Sequence, residues 1–273
     1  MHYRLVASDV DGTLIDEDGT VNRNTLELMK RFREQGGYLT IATGRMKEAV
    51  VPLARTIGVN APLILYNGGV ITELEGSRHL VESFLDSKEA MASIMLAEAM
   101  GVGILLYHQG NAYTQQKTTL ICQHNEKEKV SCQVVDMIEP LVKKGLTKIL
   151  YIADEHIIDK LHEAHCSIKA DSWNLIRSET TYLELLPQGV SKGNALRMLG
   201  EMLQVSMKET VALGDERNDL SMIQVAGVGV AVQNANPKLK ACADVVTREQ
   251  RSSGVGEILQ RILQGELLIN NEE

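Results

Sequence analysis

The strongest constraint on the fold is an alternation of strand-like and helix-like segments at the start of the chain. Short apolar runs are typical of buried strands, and apolar residues that recur every three to four positions are typical of amphipathic helices. Such alternation predicts right-handed crossovers and a parallel sheet. The predicted elements are a strand at Leu5–Ala7, a helix at Asn22–Gln35, a strand at Tyr38–Ala42, a helix from about Lys47 to Ile57 and a strand at Leu63–Tyr66.

The pattern changes in the middle of the chain and returns near its end. Short elements of mixed α+β type continue to about residue 187, and the α/β alternation resumes from Ser191. We therefore predict an α/β fold, a Rossmann-like open parallel sheet built from both ends of the chain, with an inserted α+β domain. The predicted boundaries are residues 1–82 and 188–273 for the core domain and residues 83–187 for the inserted domain.

Charge and cysteine content narrow the class of protein. The 273 residues include 36 acidic and 28 basic side chains, a net charge of −8, and the basic residues are scattered. Nucleic-acid binding needs a concentrated positive surface, so we expect no nucleic-acid partner. The longest aliphatic stretch, near residues 225–232, is too short to cross a membrane. The lack of a leader pattern and the irregular spacing of four cysteines predict a reduced, cytoplasmic protein.

Two carboxylates follow the first predicted strand, in the hexapeptide DVDGTL at residues 9–14. Ligands of open α/β sheets bind beyond the carboxyl ends of the strands, and side chains two residues apart in extended backbone point the same way. Asp9 and Asp11 can therefore divide nucleophilic and acid–base work, because crowding of like charges keeps one carboxyl protonated. A plain turn is the alternative. A calcium loop does not fit, since Gly12 comes too early and Thr13 replaces an acidic or amide ligand.

Two further motifs carry groups suited to phosphate. Thr43, Gly44 and Arg45 lie between the second predicted strand and the next helix, where a hydroxyl and free N–H groups can hold phosphoryl oxygens. A simple helix cap by Thr43 is the alternative. Lys192 follows Ser191, a predicted helix N-cap. A cation in the first helical turn opposes the helix dipole, which favours a nearby anion, although a solvated surface lysine is equally compatible.

A second pair of carboxylates follows the strand predicted at Thr210–Leu213. Asp215 stands at the end of this strand and Asp219 in the next turn, just after Asn218. Such oxygen ligands suit Mg²⁺, which takes a few carboxylates together with water and substrate phosphate. An acidic first helical turn, favoured by the helix dipole, is the alternative.

All four motifs fall at predicted strand ends or helix starts of the α/β part, and their joint order is specific. With these motifs the sequence resembles the haloacid dehalogenase (HAD) superfamily, and within it the Cof-type phosphatases with a large type IIB cap. The resemblance covers essentially the whole chain. It extends to Tyr66–Gly69, similar to the family's loop before the cap, and to Gly229–Ala235, similar to its final strand and turn. Glu216 stands where a small residue is common, and Gln233 replaces a frequent glycine.

The resemblance implies a metal-dependent phosphatase that hydrolyses small phosphate monoesters, such as sugar phosphates, through an aspartyl-phosphate on Asp9. It implies that Asp11 serves as acid and then as base. It implies a Mg²⁺ ion held by the Asp9 and Asp215 carboxylates and the Asp11 backbone carbonyl, with Asp219 ordering a water or Lys192. The inserted domain would be the cap that closes over the site.

Substrate contacts also follow from the resemblance. The residues implied to bind phosphate are Thr43, Gly44, Lys192 and Asn218. The residues on core loops that could face the cap and contact the rest of the substrate are Arg45, Asn67 and Gly68. The expected partner is a small phosphorylated metabolite, with no nucleic acid and no membrane, and the chain is expected to be a monomer or a small homo-oligomer.

Two other functions stay open. One is phosphoryl transfer to another hydroxyl, as in phosphomutases, and the other is binding of a phosphorylated metabolite without turnover. Retention of Asp9 and Asp11 argues against a pure binding protein, because binding needs neither a nucleophile nor a proton donor. In the inserted domain, His162, His165 and Cys166 lie at helical spacing. We expect a solvated helix face there rather than a zinc site, since no fourth ligand is evident.

Overall fold

Two compact units make up the chain, of which the computed structural model describes residues 2–76, 78–168 and 173–267. The first unit comprises Met1–Gly44, Val50–Val81 and Ser191–Glu273, and the second comprises Arg45–Ala49 and Glu82–Val190. Both units are therefore discontinuous in sequence. The short segment after Gly44 groups with the second unit, whereas the sequence assigned it to the core domain.

The strands and helices are numbered along the chain. In chain order they are β1 (Leu5–Ser8), α1 (Arg23–Glu34), β2 (Tyr38–Ile41), α2 (Lys47–Ile57), β3 (Leu63–Leu65), β4 (Val70–Thr72), β5 (His79–Glu82), α3 (Ser87–Ala99), β6 (Gly103–His108), β7 (Asn111–Thr114), α4 (Thr119–Glu128), β8 (Cys132–Val134), α5 (Glu139–Lys144), β9 (Lys148–Ile152), α6 (Glu155–Ser167), β10 (Trp173–Glu179), β11 (Tyr182–Pro187), α7 (Lys192–Leu203), β12 (Thr210–Gly214), α8 (Leu220–Val225), β13 (Val228–Ala231), α9 (Pro237–Lys240), β14 (Val245–Val246) and α10 (Arg251–Gln264). Short 3₁₀ turns lie at Tyr66–Gly68, Met207–Glu209 and Arg217–Asp219.

A parallel sheet in the order β14-β13-β12-β1-β2 forms the centre of the first unit, as the alternating pattern predicted. The buried strand β1 pairs with β12 on one side and β2 on the other, with Ser8 opposite Leu213 and Ile41. These three strands end side by side, so the residues that follow them are neighbours in space. Strand β3 joins the sheet through an isolated parallel bridge between Ala42 and Ile64 and pairs along its length with β4.

The core of the first unit is aliphatic. Strand residues such as Leu5 and helix residues such as Leu196, Leu199 and Met222 form one buried cluster. Aromatic residues make up 4% of the chain, so the cluster depends on aliphatic packing, at about 2 kcal/mol for each fully buried Leu or Met. This packing fixes the strands whose ends carry the predicted motifs.

The second unit has a mixed sheet in the order β10-β11-β9-β6-β7-β8. Its pairs are antiparallel except for β7 and β8. Ile94 of α3, Val142 of α5 and Leu161 of α6 pack in one buried cluster with Ile149 of β9. The predicted combination of an open parallel sheet with an inserted α+β region is confirmed. None of the helices in the described ranges is long and apolar enough to cross a bilayer.

Several elements differ from the sequence prediction. Elements α4, β8 and α5 were missed; α4 buries Ile121 and His124, so it shows no apolar periodicity. The third strand ends at Leu65, because Tyr66 and Asn67 adopt left-handed φ angles of 51° and 55°. Helix α10 begins at Arg251 rather than near residue 255, since its first turn buries small residues instead of aliphatic ones.

Candidate active site

Asp9 directly follows β1 at the carboxyl edge of the sheet. Its backbone N–H donates to the Leu213 carbonyl oxygen at 2.9 Å, which continues the parallel ladder. Asp9 is 6% exposed, and its Oδ1 accepts a hydrogen bond from Lys192 Nζ at 2.6 Å. A buried carboxylate in this position is fixed by its strand and by one cation.

Lys192 is completely buried, so the surface-lysine alternative is wrong. It is the first residue of α7, whose predicted cap is confirmed because Ser191 Oγ accepts from the Asn194 N–H. Lys192 Nζ donates to Asp9 Oδ1 and to Asp219 Oδ1, each at 2.6 Å. Burial alone would lower the pKa of Lys192, but the two carboxylates outweigh it and hold the pKa above its ordinary value. The ammonium therefore stays charged.

Asp219 fixes the loop after β12. Its Oδ2 accepts from the backbone N–H groups of Asp215 at 2.9 Å and Glu216 at 3.0 Å, and its Oδ1 faces Lys192. The side chain is completely buried. Asp219 thus does more than complement a helix dipole, because it ties the loop to the buried cation.

Thr13 is a site residue that the sequence analysis did not assign. Its hydroxyl donates to Asp215 Oδ1 at 2.8 Å, and the side chain is completely buried. The neighbouring Gly12 has φ +78°, and a Cβ there would lie 2.1 Å from Asp215 Oδ2. Only glycine permits this approach, so the DVDGTL segment is a turn shaped around Asp215. The signal was present in the hexapeptide, but its partner lies 202 residues away.

Asp9, Asp215 and Asp219 form a carboxylate cluster whose ligand atoms lie within 4.8 Å of one another. Burial raises the pKa of Asp9 well above its ordinary value; Lys192 opposes this shift, and Asp219 and Asp215 add to it. Burial, followed by the Asp219 charge, raises the pKa of Asp215 to about 7, with Thr13 and Lys192 opposing. The crowding of like charges predicted for Asp9 thus comes from Asp215 and Asp219.

The carboxylate cluster fits a hard divalent cation. Its donors are all carboxylate oxygens, as Mg²⁺ prefers. Burial, with smaller contributions from the neighbouring carboxylates, raises the pKa values of Asp9 and Asp215 despite Lys192, and a bound cation would favour their charged forms. The cluster could therefore hold a metal ion. Asp11 is exposed and lies outside the cluster.

Thr43 follows β2, the strand that pairs with β1, and it is not a helix cap. It is buried, its N–H donates to the Ile64 carbonyl at 2.9 Å, and α2 begins only at Lys47. The Thr43 carbonyl accepts from the Asn67 N–H at 2.9 Å. The Asn67 amide oxygen in turn accepts from Asn218 Nδ2 at 3.1 Å. Three residues assigned separately from the sequence are therefore joined in one chain of hydrogen bonds.

The remaining substrate candidates lie in different units. Gly68 belongs to the first unit, with φ +103°, and a Cβ there would lie 2.3 Å from the Ser191 carbonyl oxygen. Arg45 belongs to the second unit, where its Nε lies 3.3 Å from Glu128 Oε2 of α4. Their proposed substrate contacts stay predictions.

Two asparagines hold the backbone of the site through hydrogen bonds to its carbonyl groups. Asn234 Nδ2 donates to the Gly12 carbonyl at 2.8 Å, and the Asn236 N–H donates to the Asp215 carbonyl at 2.7 Å. The sequence analysis gave Asn234 no role and did not mention Asn236. Glu216, the unusual residue of this loop, accepts from the Arg217 N–H and caps the 3₁₀ turn. Gln233 accepts from Gln250 Nε2 at 2.8 Å.

The solvated helix face expected around His162 is wrong for His165. His165 is 1% exposed, its Nδ1 lies 2.8 Å from the Leu161 carbonyl and its Nε2 lies 2.6 Å from Ser93 Oγ. Among the described residues, the metal-compatible group of acidic, His and Cys side chains is the carboxylate cluster. His165 is instead part of the buried core of the second unit.

Comparisons with known proteins agree with this geometry. The family model of haloacid dehalogenase-like hydrolases matches residues 6–259. A Streptococcus pyogenes serotype M6 protein named "Putative phosphatase" is 27% identical over 96% of this chain and 98% of its own length. A haloacid dehalogenase-like hydrolase from Bacteroides thetaiotaomicron superposes with a TM-score of 0.85 at 29% identity, covering 95% and 99% of the two chains.

A more distant structural likeness concerns the fold alone. The HAD subclass IIB sugar phosphatase BT4131 superposes with a TM-score of 0.82 at 20% identity, covering 95% of this chain and 98% of that one. The resemblance inferred from the four motifs is confirmed. The chain belongs to the haloacid dehalogenase-like hydrolase family.

Proposed function

We propose that the protein is a Mg²⁺-dependent phosphatase that hydrolyses small phosphate monoesters through an aspartyl-phosphate on Asp9. One observation carries the proposal: a buried carboxylate at the end of β1, held by Lys192, has an oxygen within 4.8 Å of oxygens of two further carboxylates. A nucleophile, a fixed cation and a cation-binding cluster are what phosphoryl transfer to a carboxylate requires. Membership of the hydrolase family and the S. pyogenes relative's name agree with the proposal.

In the proposed reaction an Asp9 oxygen attacks phosphorus and the bond to the leaving oxygen breaks. Asp11 protonates that oxygen, which leaves as an alcohol. Asp11 then removes a proton from water, and the water attacks the aspartyl-phosphate, releasing phosphate and restoring Asp9. The difference in burial supports this division, because Asp9 is 6% exposed whereas Asp11 is open to solvent and can exchange protons.

The phosphoryl oxygens would be bound by Lys192, Thr43, the Gly44 N–H and Asn218. Lys192 supplies a permanent positive charge, since its carboxylate neighbours keep it protonated. Donors that are fixed before the reaction stabilise developing charge without reorganisation. The buried position of Lys192 and the hydrogen bond that holds Asn218 support such preorganisation.

Mg²⁺ would be held by Asp9, Asp215 and the Asp11 backbone carbonyl, with Asp219 orienting Lys192 and the loop. When bound, it supplies charge neutralisation for the phosphoryl group and for the crowded carboxylates. Asp219 suits the orienting role because its oxygens accept from Lys192 and from two backbone N–H groups.

The substrate class proposed is small phosphorylated metabolites such as sugar phosphates, with the second unit as the cap that reads the leaving group. Four free cysteines support a reducing, cytoplasmic location. The net charge of −8 argues against a nucleic acid as the substrate. A small anionic substrate would be bound at the local positive charge of Lys192.

The test is a phosphate-release assay on a panel of phosphorylated metabolites and an aryl phosphate, with Mg²⁺ and without an acceptor alcohol. We expect wild-type turnover and a loss of at least about 10⁴-fold in Asp9→Asn. Asp18→Asn is the matched control, because Asp18 is an exposed carboxylate of the same unit that bonds only locally to Thr20. Equal rates for Asp9→Asn and the wild type would refute the assignment of Asp9 as the nucleophile. Turnover that requires an added acceptor alcohol would indicate a phosphotransferase.

A further inference from the structure

The Tyr66–Gly68 turn contacts three separate loops of the candidate active site. The Asn67 N–H donates to the Thr43 carbonyl at 2.9 Å, and the Asn67 Oδ1 accepts from Asn218 Nδ2 at 3.1 Å. The backbone of Gly68 packs against the Ser191 carbonyl at the start of α7. This turn therefore lies where three segments of the candidate site meet: the Thr43–Gly44 loop, the loop that carries Asn218, and the start of α7.

The backbone conformation of the turn shows why the presence of asparagine at position 67 is informative. Asn67 has φ 55° and ψ 27°, in the left-handed region. Glycine adopts this conformation at no steric cost, while most other residues pay about 1–2 kcal/mol, and asparagine is among the better tolerated. Glycine would thus suit the backbone best. The presence of an amide at this position indicates that the side chain itself contributes.

The surroundings of the amide indicate what it contributes. Asn67 is 1% exposed, and its amide oxygen is already used by the hydrogen bond from Asn218 Nδ2 at 3.1 Å. The Asn67 Nδ2 lies only 3.1 Å from where a Cβ on Gly44 would be. The amide is therefore packed between the Gly44 backbone and the Asn218 side chain, which carry two of the proposed phosphate contacts.

We infer that Asn67 is a positioning residue, which fixes Asn218 and the Thr43–Gly44 loop relative to each other rather than touching the substrate. The inference rests on the proposed phosphatase function and replaces the direct substrate contact expected for Asn67. Donors misplaced by about 1 Å can slow an enzyme about 100-fold, because transition-state contacts depend on exact distances.

The variant Asn67→Gly separates the side chain from the turn. Glycine keeps the left-handed backbone and the N–H that donates to Thr43, and it removes only the amide. With an aryl phosphate and saturating Mg²⁺, we expect kcat to fall about 10- to 100-fold while KM changes less than about threefold. That split is the signature of an interaction realised in the transition state.

A double-mutant cycle tests the route of the effect. Asn218→Ala removes the donor of the hydrogen bond to Asn67 and leaves the Tyr66–Gly68 turn intact. If Asn67 acts by positioning Asn218, Asn67→Gly should slow the Asn218→Ala enzyme less than about threefold.

The matched control is Asn60→Ala. Asn60 also bridges the backbone of the first unit, accepting from the Leu39 N–H at 2.8 Å and donating to the Gly37 carbonyl at 3.0 Å, but it is no part of the site. We expect Asn60→Ala to lower the melting temperature and leave kcat unchanged. This control separates a structural loss from a positioning loss.

The outcomes distinguish this inference from the proposed function. A wild-type protein without phosphatase turnover overturns both. Wild-type turnover that Asn67→Gly leaves unchanged, or losses in Asn67→Gly and Asn218→Ala that multiply in the double variant, overturn the positioning role alone. A KM increase without a kcat loss also overturns it, because that would indicate direct substrate binding.

Discussion

Each unit of the protein buries a lysine beside carboxylates, but the two groups differ in their balance of charge. In the second unit Lys148 Nζ lies 3.4 Å from Glu184 Oε2, with side chains 5% and 7% exposed, and 4.7 Å above the Tyr107 ring. This ion pair joins one cation to one anion. The pair joins β9 to β11 in the middle of the mixed sheet.

In the first unit Lys192 meets Asp9 and Asp219 at 2.6 Å each, and Asp215 completes the carboxylate cluster. One cation there faces three carboxylates. Burial raises the pKa values of Asp9 and Asp215, and the neighbouring carboxylates add to both shifts. A balanced buried pair is compatible with a structural role, whereas an unbalanced group requires a further cation or a proton. The comparison thus explains why chemistry is assigned to the first unit.

The largest effect is expected from removing the cation of the unbalanced cluster. Lys192→Met leaves the buried Asp9 and Asp219 carboxylates without their partner, which costs about 3–5 kcal/mol. We expect the free energy of unfolding, measured by urea in the presence of EDTA, to fall by that amount. Adding Mg²⁺ should reduce the difference from the wild type, because the cluster without its lysine carries more uncompensated negative charge and should bind the cation more tightly than the wild type does.

The matched control for this prediction is Lys148→Met. It breaks the balanced pair with Glu184 and should destabilise by a similar amount, but Mg²⁺ should stabilise it only as much as it stabilises the wild type, so that the difference from the wild type remains. An equal Mg²⁺ response in the two variants would contradict the contrast between the units.

A smaller effect on stability is expected from His124, a buried residue of α4 in the second unit. Burial, with smaller contributions from Lys148 and Lys127, lowers the pKa of His124 to about 4. The folded state therefore keeps His124 neutral while the unfolded state takes up a proton below about pH 6.5. The resulting stability is fully present above pH 6.5 and is lost as the pH falls towards 4.

Between pH 6.5 and 5 this linkage amounts to about 2 kcal/mol. Urea unfolding at several pH values measures it, and His124→Gln, which cannot titrate, is the control. We expect the wild type to lose about 2 kcal/mol more than His124→Gln over this interval. Parallel pH profiles would show that His124 protonates equally in both states.

The smallest effect is expected from replacing the balanced pair as a whole. The double variant Lys148→Met with Glu184→Leu removes both charges of the pair together, so the free energy of unfolding should change by less than about 1 kcal/mol. Aryl-phosphate turnover by the proposed site should respond to Mg²⁺ as in the wild type. A loss as large as that of Lys148→Met alone would mean that the pair is more than structural.

The sequence was sufficient for the parts of the site that strand ends determine. Asp9 and Asp215 follow neighbouring strands, and a parallel sheet brings such positions together whatever their separation in sequence. Lys192 was a candidate because it opposes the dipole of a capped helix, but a surface lysine was equally compatible, and the contact with Asp9 that decides between them spans 183 residues. Local sequence patterns, together with the rule that parallel strands end at one edge of the sheet, thus made Asp9, Asp215 and Lys192 candidates.

The remaining features depend on side-chain contacts that local patterns do not encode. The bond from Thr13 to Asp215 and the support from Asn234 join segments more than 200 residues apart. Arg45 directly follows Gly44 in sequence, but its side chain pairs with Glu128 of α4. Helix α4 itself lacks apolar periodicity. His165 is buried because Ser93 and Leu161 accommodate both of its ring nitrogens.

The most direct test of the account is a calorimetric titration of Mg²⁺ into the wild-type protein, Asp215→Asn and Glu184→Gln. The unbalanced cluster predicts that the wild type binds Mg²⁺, that Asp215→Asn weakens binding at least about tenfold by removing a ligand, and that Glu184→Gln binds as the wild type does. Undiminished Mg²⁺ binding by Asp215→Asn, or no binding by the wild type, would contradict the account.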